Sequence, residues 1–174
     1  MPLSASRGGA STKSAASFGG SFIRMTLEQR VQWLEDRAAL EDLAALYCRG
    51  ADSRDAALFS SVWHKDAVWD VGTHVFCGRQ EILSAVARQW ETFQNMQHWT
   101  SNSRYDINGN HATGEHDVAA LTTLADGSTV LSGGRYRDEF ERRDGIWGFT
   151  KRTASILTTV ALSPPRLIES SLVD

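Results

Sequence analysis

From Gln97 onward every stretch of the chain alternates like a strand, and the breaks between stretches are Asn-Gly or Asp-Gly pairs. Asn108-Gly109-Asn110, Asp126-Gly127 and Asp144-Gly145 divide residues 97–158 into four strands averaging over a dozen residues each. Such pairs make tight hairpins because both residues accept the positive φ that the turn needs. Strands this long, each folding straight back on the last, form an antiparallel sheet too extended to stay flat. The sheet curves, and its concave face has to be covered by something earlier in the chain.

That cover is helical. Thr26-Leu27-Glu28-Gln29 has the T-x-x-Q form of a capping box. Leu27, Val31, Leu34, Ala38, Leu43, Leu46 and Tyr47 follow at mostly three- and four-residue steps. The spacing predicts an amphipathic helix of about 23 residues with this stripe inward, ending near Arg49-Gly50. A shorter helix is expected over Arg54–Trp63, with Leu58, Phe59 and Val62 inward. A strand over Ala67–Val71 and a third helix from Arg79 to about Phe93 follow. The fold class is therefore α+β: a cone-shaped barrel of strongly curved, mostly antiparallel sheet wrapped around three N-terminal helices.

One domain over residues 25–165 accounts for this pattern, flanked by tails at 1–24 and 166–174. Fourteen of the first 24 residues are Ser, Gly or Ala, a composition that cannot repay the entropy of ordering, so this tail is expected to be disordered. It carries Arg7, Lys13 and Arg24 with no acid, as an organellar transit peptide does, but lacks the amphipathic spacing of one. Met25 could equally be the true start. Without the tail, 15 basic residues face 21 acidic ones, a poor match to nucleic acid or an anionic membrane. No apolar run nears the roughly 18 residues of a membrane span. Cys48 and Cys77 form no CxxC pair, so a reducing, cytoplasmic setting is expected. There is no H-x-x-x-H, HExxH, GxGxxG, P-loop or G-x-S-x-G, so neither a metal nor an organic cofactor is expected.

Most titratable residues read as structural. His64 in Trp63-His64-Lys65-Asp66 suits a helix C-terminus, and His111 after the Asn-Gly turn suits solvent. His74 lies in a Gly-flanked loop that decides nothing. His116 shares a strand face with Val118 and Ala120, which points it inward. His98 opens the first long strand between Met96 and Trp99, bulky groups that would shield it from water. Asp52 stands just past the first helix, where the plainest role is N-cap of the second. Tyr47, five residues earlier on the apolar stripe, needs a partner for its hydroxyl. Arg152 on the last strand faces small residues, which is costly unless it serves an anion.

Taken together, the helix-then-strand order, the set Tyr47, Asp52, His98 and Arg152, and Gly133-Gly134-Arg135-Tyr136-Arg137-Asp138-Glu139-Phe140-Glu141-Arg142-Arg143-Asp144-Gly145-Ile146-Trp147 resemble the SnoaL-like branch of the nuclear transport factor 2-like (NTF2-like) superfamily. The resemblance covers roughly residues 28–165. Within that branch the resemblance is to hexachlorocyclohexane dehydrochlorinase and bile acid 7α-dehydratase. It implies a catalytic Asp-His dyad at Asp52 and His98, the latter in the H-x-x-x-N context His98-Trp99-Thr100-Ser101-Asn102, and a basic residue at Arg152. At Tyr47 the dehydrochlorinase has Lys and the bile acid enzyme Tyr, which favours a hydroxyl leaving group. The dehydratases carry a further Tyr on the first strand, where this chain has Val71 beside Trp69.

The resemblance thus implies a cofactor-independent elimination. Neutral His98 would take a C–H proton, Asp52 would fix its tautomer, Tyr47 would bind the leaving oxygen, and Arg152 would stabilise developing negative charge. The implied substrate is a small hydrophobic ring compound, such as a steroid or polyketide, held by Trp69, Val118, Ala120, Tyr136 and His116. The alternatives are an isomerase, cyclase or hydrolase on the same pocket, or a non-catalytic binding module. The family also implies a homotrimer, with a dimer as the alternative.

Overall fold

Helix α1 runs Leu27–Asp52 and begins with the expected capping box: Gln29 N–H donates to Thr26 Oγ1 at 3.2 Å, and Thr26 N–H donates to Gln29 Oε1 at 2.9 Å. A cap of this kind stabilises a helix by about 1 kcal/mol. The structure, a computed structural model, describes residues 25–162. The expected tails at 1–24 and 166–174, and residues 163–165 at the end of the expected domain, lie outside those residues.

Two details of α1 differ from expectation. The helix passes through Gly50 rather than stopping there, because Gly50 is where α1 meets helix α2 (Ala56–Ser61). A Cβ on Gly50 would sit 2.6 Å from the backbone nitrogen of Phe59, so the glycine serves close approach. The apolar stripe also buries only its second half. Leu40, Leu43, Ala44 and Tyr47 are in the core, whereas Leu27, Val31 and Leu34 are 69%, 45% and 53% exposed. Ala38 is exposed as well and Leu46 only half-buried, while Leu40, outside the expected stripe, is fully buried. The first turns of α1 find little core to cover.

Helix α2 is six residues long, not ten, and Asp55 caps it, its Oδ1 accepting from Leu58 N–H at 2.9 Å. Trp63 and His64 belong instead to strand β1 (Trp63–Asp70), which starts earlier than expected and leads to a short β2 (Val75–Cys77). His64 caps no helix; its Nε2 lies 2.9 Å from Glu141 O. Helix α3 spans Arg79–Thr92. The four long strands are β3 (Phe93–Asn108), β4 (His111–Leu124), β5 (Thr129–Arg143) and β6 (Ile146–Leu162); β3 begins before the expected Gln97 and β6 runs beyond residue 158, while β4 and β5 lie between the expected turns. Their turns fall at the three Asn-Gly and Asp-Gly pairs, with Gly109, Gly127 and Gly145 at positive φ.

The six strands form one curved sheet in the order β2-β1-β6-β5-β4-β3. All pairings are antiparallel except β1 with β6, which is parallel. The sheet is not closed into a barrel: β2 and β3 are free edges, so the cone is open along one side. Its inner face and the three helices enclose a core of aromatic rings around Tyr47, Phe59, Trp63, Trp69, Phe140 and Phe149. Buried Asp36 on α1 is tied to the β5–β6 hairpin, accepting from Trp147 Nε1 at 2.9 Å and Arg142 Nη1 at 2.6 Å.

Candidate active site

Asp52 is the last residue of α1, and His98 lies six residues into β3. They are 46 residues apart in sequence, yet Asp52 takes two bonds from His98. The His98 backbone N–H donates to Oδ2 at 2.8 Å, and ring Nδ1 meets Oδ1 at 2.5 Å. A carboxylate only accepts, so Nδ1 is the nitrogen that donates, and in a neutral ring the lone pair is on Nε2. Both side chains are mostly but not fully covered, at 15% exposed for His98 and 20% for Asp52. Since Asp55 caps α2, the capping role anticipated for Asp52 is already filled. Nor does Trp99 shield His98: alternation turns it to the outer face, where it is 47% exposed.

Strand register arranges the inner face around His98 in rows. His98 pairs with Ala120, which pairs with Ser132. In the next row Thr100, Val118, Gly134 and Ile156 lie side by side, with Ile156 58% exposed. The neighbours of His98 in its own row, Ala120 and Ser132, are small, and Ile156 in the next row is uncovered.

Deeper in the cone the other expected residues meet a partner that the sequence reading did not include. Arg152 is fully buried, and its guanidinium forms a bidentate pair with Asp138, Nε to Oδ1 at 2.8 Å and Nη2 to Oδ2 at 2.7 Å. The anion Arg152 serves is thus supplied by the chain itself. The guanidinium also stacks on the rings of Tyr47, Tyr136 and Phe149 at 4.1, 4.2 and 4.4 Å. His116, fully buried as expected, places Nε2 3.1 Å from Asp138 Oδ2, though poorly aligned for a hydrogen bond. Its Nδ1 lies 3.0 Å from Ser103 Oγ.

The alternation Tyr136-x-Asp138-x-Phe140 puts Asp138 on the buried face and was the signal that could have found it. Its pairing with Arg152 was blurred by a one-residue bulge between Glu139 and Phe140.

Burial alone would raise the Asp138 carboxyl, but the Arg152 charge and hydrogen bonds outweigh it and hold the group below the ordinary range. Burial likewise opposes the charge on Arg152, and Asp138 more than restores it, so its pKa is raised. Burial pushes the Tyr47 hydroxyl up to about 12, with the Arg152 charge pulling the other way. Tyr136, hydrogen-bonded to Tyr47, is raised for the same reason. Both phenols therefore stay protonated as donors at neutral pH.

Trp69 is the register neighbour of Arg152 across β1 and β6. Trp69 Nε1 and Arg152 Nη1 are buried donors without an acceptor among the described residues. Among the described residues, no group of three or more His, Cys, Asp or Glu could hold a metal ion, and no helix is long and apolar enough to cross a membrane. A cleft of about 640 Å³, lined by Arg104, Glu115, Arg137, Glu139 and Lys151 among others, includes neither dyad residue.

The SnoaL-like domain family matches residues 32–153, which takes in Asp52, His98 and the Asp138–Arg152 pair. The chain belongs to this family. Gamma-hexachlorocyclohexane dehydrochlorinase of Sphingobium indicum is 32% identical over 125 residues, covering 70% of this chain and 80% of the relative. A crystal structure of a type 2 hexachlorocyclohexane dehydrochlorinase (LinA) superposes with a TM-score of 0.76 at 26% identity, covering 82% of this chain and 99% of that one. The type 3 LinA of Novosphingobium barchaimii gives 0.73 at 29% identity, covering 76% and 94%. Dehydrochlorination is an elimination, so these SnoaL-like relatives are lyases. Their structures confirm the α+β fold of a curved sheet over N-terminal helices.

Proposed function

We propose that this SnoaL-like protein is a cofactor-independent lyase that eliminates a leaving group from a small hydrophobic ring substrate. The observation that carries the reading is the pair of hydrogen bonds from His98 to Asp52, which fixes the ring and leaves Nε2 clear of that carboxylate to act as a base. His98 Nε2 takes the C–H proton, and Asp52 stabilises the imidazolium that forms. The carbon electron pair becomes the new double bond as the leaving group departs. Protonated Tyr47 donates to the departing atom. The unpaired donors Trp69 Nε1 and Arg152 Nη1, side by side on β1 and β6, favour a departing atom that accepts and carries negative charge.

Tyr47 favours hydroxyl as leaving group. The dehydrochlorinase relatives and the unpaired donors favour halide as the second reading. The two are separated by parallel assays, chloride release from γ-hexachlorocyclohexane and enone absorbance from a cyclic β-hydroxy ketone. Turnover in the second assay alone identifies a dehydratase, and in the first a dehydrohalogenase. No turnover in either by a folded protein removes the lyase reading.

The outer face of the sheet supports self-association. Trp99, Leu131, Leu157, Val160 and Leu162 are each 39–73% exposed, with Leu121, Leu131 and Val160 in register across β4, β5 and β6. A patch of this kind marks an interface. Light scattering is expected to report a trimer of the 19.2 kDa chain, and Val160→Asp to shift it toward monomer. A monomeric parent protein at micromolar concentration excludes the assembly.

A further inference from the structure

The dyad depends on the height of β3 against the end of α1. Asp52 receives the backbone N–H and the ring of the same residue, so its two oxygens fit one position of the strand only. A slip of one residue would turn His98 to the outer face. Yet β3 begins with an irregularity four residues before His98. Phe93 pairs with Leu124 and Asn95 with Thr123, which leaves Gln94 as an extra residue in a bulge. A bulge disrupts the ladder at the place where a strand shifts most easily.

Arg54 stands at that bulge. It lies two residues past Asp52 in the corner between α1 and α2, and its Nη2 donates to Phe93 O at 2.7 Å and Gln94 O at 2.9 Å. Its backbone has φ +57°, a left-handed conformation that a non-glycine residue holds only when its surroundings impose it. A second strut joins the same two segments, Trp90 Nε1 donating to Ala51 O at 2.7 Å. Asp52 is thus bracketed in sequence by Ala51 and Arg54, each bonded to the α3–β3 junction. We propose that Arg54 is the positioning residue of the dyad: it fastens the bulge of β3 to the corner after α1 and so sets the height at which His98 meets Asp52. The proposal rests on the dyad reading above. Arg54 itself is exposed and touches neither catalytic side chain's reacting atom.

The test needs no known substrate. A ring N–H held this close to a carboxylate gives a far-downfield proton resonance, which is expected in the parent protein and absent in Asp52→Asn. Arg54→Gly removes the donors and suits the left-handed backbone, so the fold is expected to persist while the resonance is broadened or lost. Arg54→Met, which keeps the side-chain stem, is expected to behave likewise, and Arg54→Lys to restore part of the signal. Where turnover is measurable, kcat in the glycine variant is expected to fall about 10- to 100-fold with KM little changed. An undisturbed resonance in both donor-less variants overturns the proposal while leaving the dyad in place. Failure of both variants to fold overturns it too, because Arg54 is then a stability residue. A resonance that survives in Asp52→Asn defeats the dyad reading itself.

Discussion

His98→Ala is expected to abolish elimination, a loss of up to about 10⁴-fold in kcat, with the melting temperature changed little. The side chain sits on the inner face beside the small Ala120 and is not fully buried, so its removal leaves no large buried void. Asp52→Asn is expected to cost less, of order 10²-fold, because the base survives with a poorer hold on its tautomer. The structure sharpens this comparison. Asp55 caps α2, so Asp52→Asn removes no helix cap, and any loss of rate is attributable to the imidazole. Adding free imidazole to His98→Ala is expected to restore part of the turnover. A full-rate Asp52→Asn would remove Asp52 from the mechanism, and a His98→Ala that keeps its rate would leave the mechanism without its base.

Asp138→Asn is expected to destabilise the protein by about 3–5 kcal/mol, the usual consequence of leaving a buried cation without its partner. For a domain of this size that lowers the melting temperature by roughly 10 °C. Asp138 and Arg152 are both wholly buried, so water cannot screen the stranded charge. The paired substitution Asp138→Leu with Arg152→Met is expected to recover most of that stability, since an apolar pair of similar volume carries no desolvation cost. Under the lyase reading it is not expected to recover activity, because the donor for developing negative charge is gone. The pair also gives a pH signature. Asp138 has a folded pKa below its unfolded one, so its contribution is complete above the unfolded value near 4 and is lost as pH falls toward the folded one. The parent protein should therefore lose stability on acidification more steeply than the Leu/Met variant, and parallel acid melting curves would contradict this.

Much of this architecture is legible in local chemistry. A capping box starts α1 at Thr26 because backbone donors at a helix start need those side chains. Asn-Gly and Asp-Gly pairs fix the hairpins because few other pairs accept positive φ. Alternation sends His116 inward, and it is wholly buried. These signals are read within a few residues of chain, and the elements they predict are present. The boundaries that moved did so where tertiary packing overrode local preference. Gly50 reads as a stop but is a contact surface for Phe59, and Trp63 leaves the expected helix to enter the aromatic core on β1.

The candidate site divides along the same line. Tyr47, Asp52, His98 and Arg152 can be named from residue types and a family pattern, but nothing local says which charges pair. Asp52 meets His98 only because a bulge and the Arg54 clamp set the height of β3. Arg152 finds Asp138 only because another bulge shifts the β5–β6 register by one. The apolar stripe of α1 is visible in the sequence, yet how much of it is covered depends on where the sheet ends, leaving Leu27, Val31 and Leu34 outside. Whether the cone closes was also beyond local reading. Closure requires β2 and β3 to pair edge to edge, and a three-residue β2 at one edge leaves the sheet open. The sequence by itself determined the three helices, the long strands and their order, because periodicity, caps and turns act within a few residues. Only the tertiary structure decided register, edge pairing and charge partners, because these depend on contacts between segments tens of residues apart.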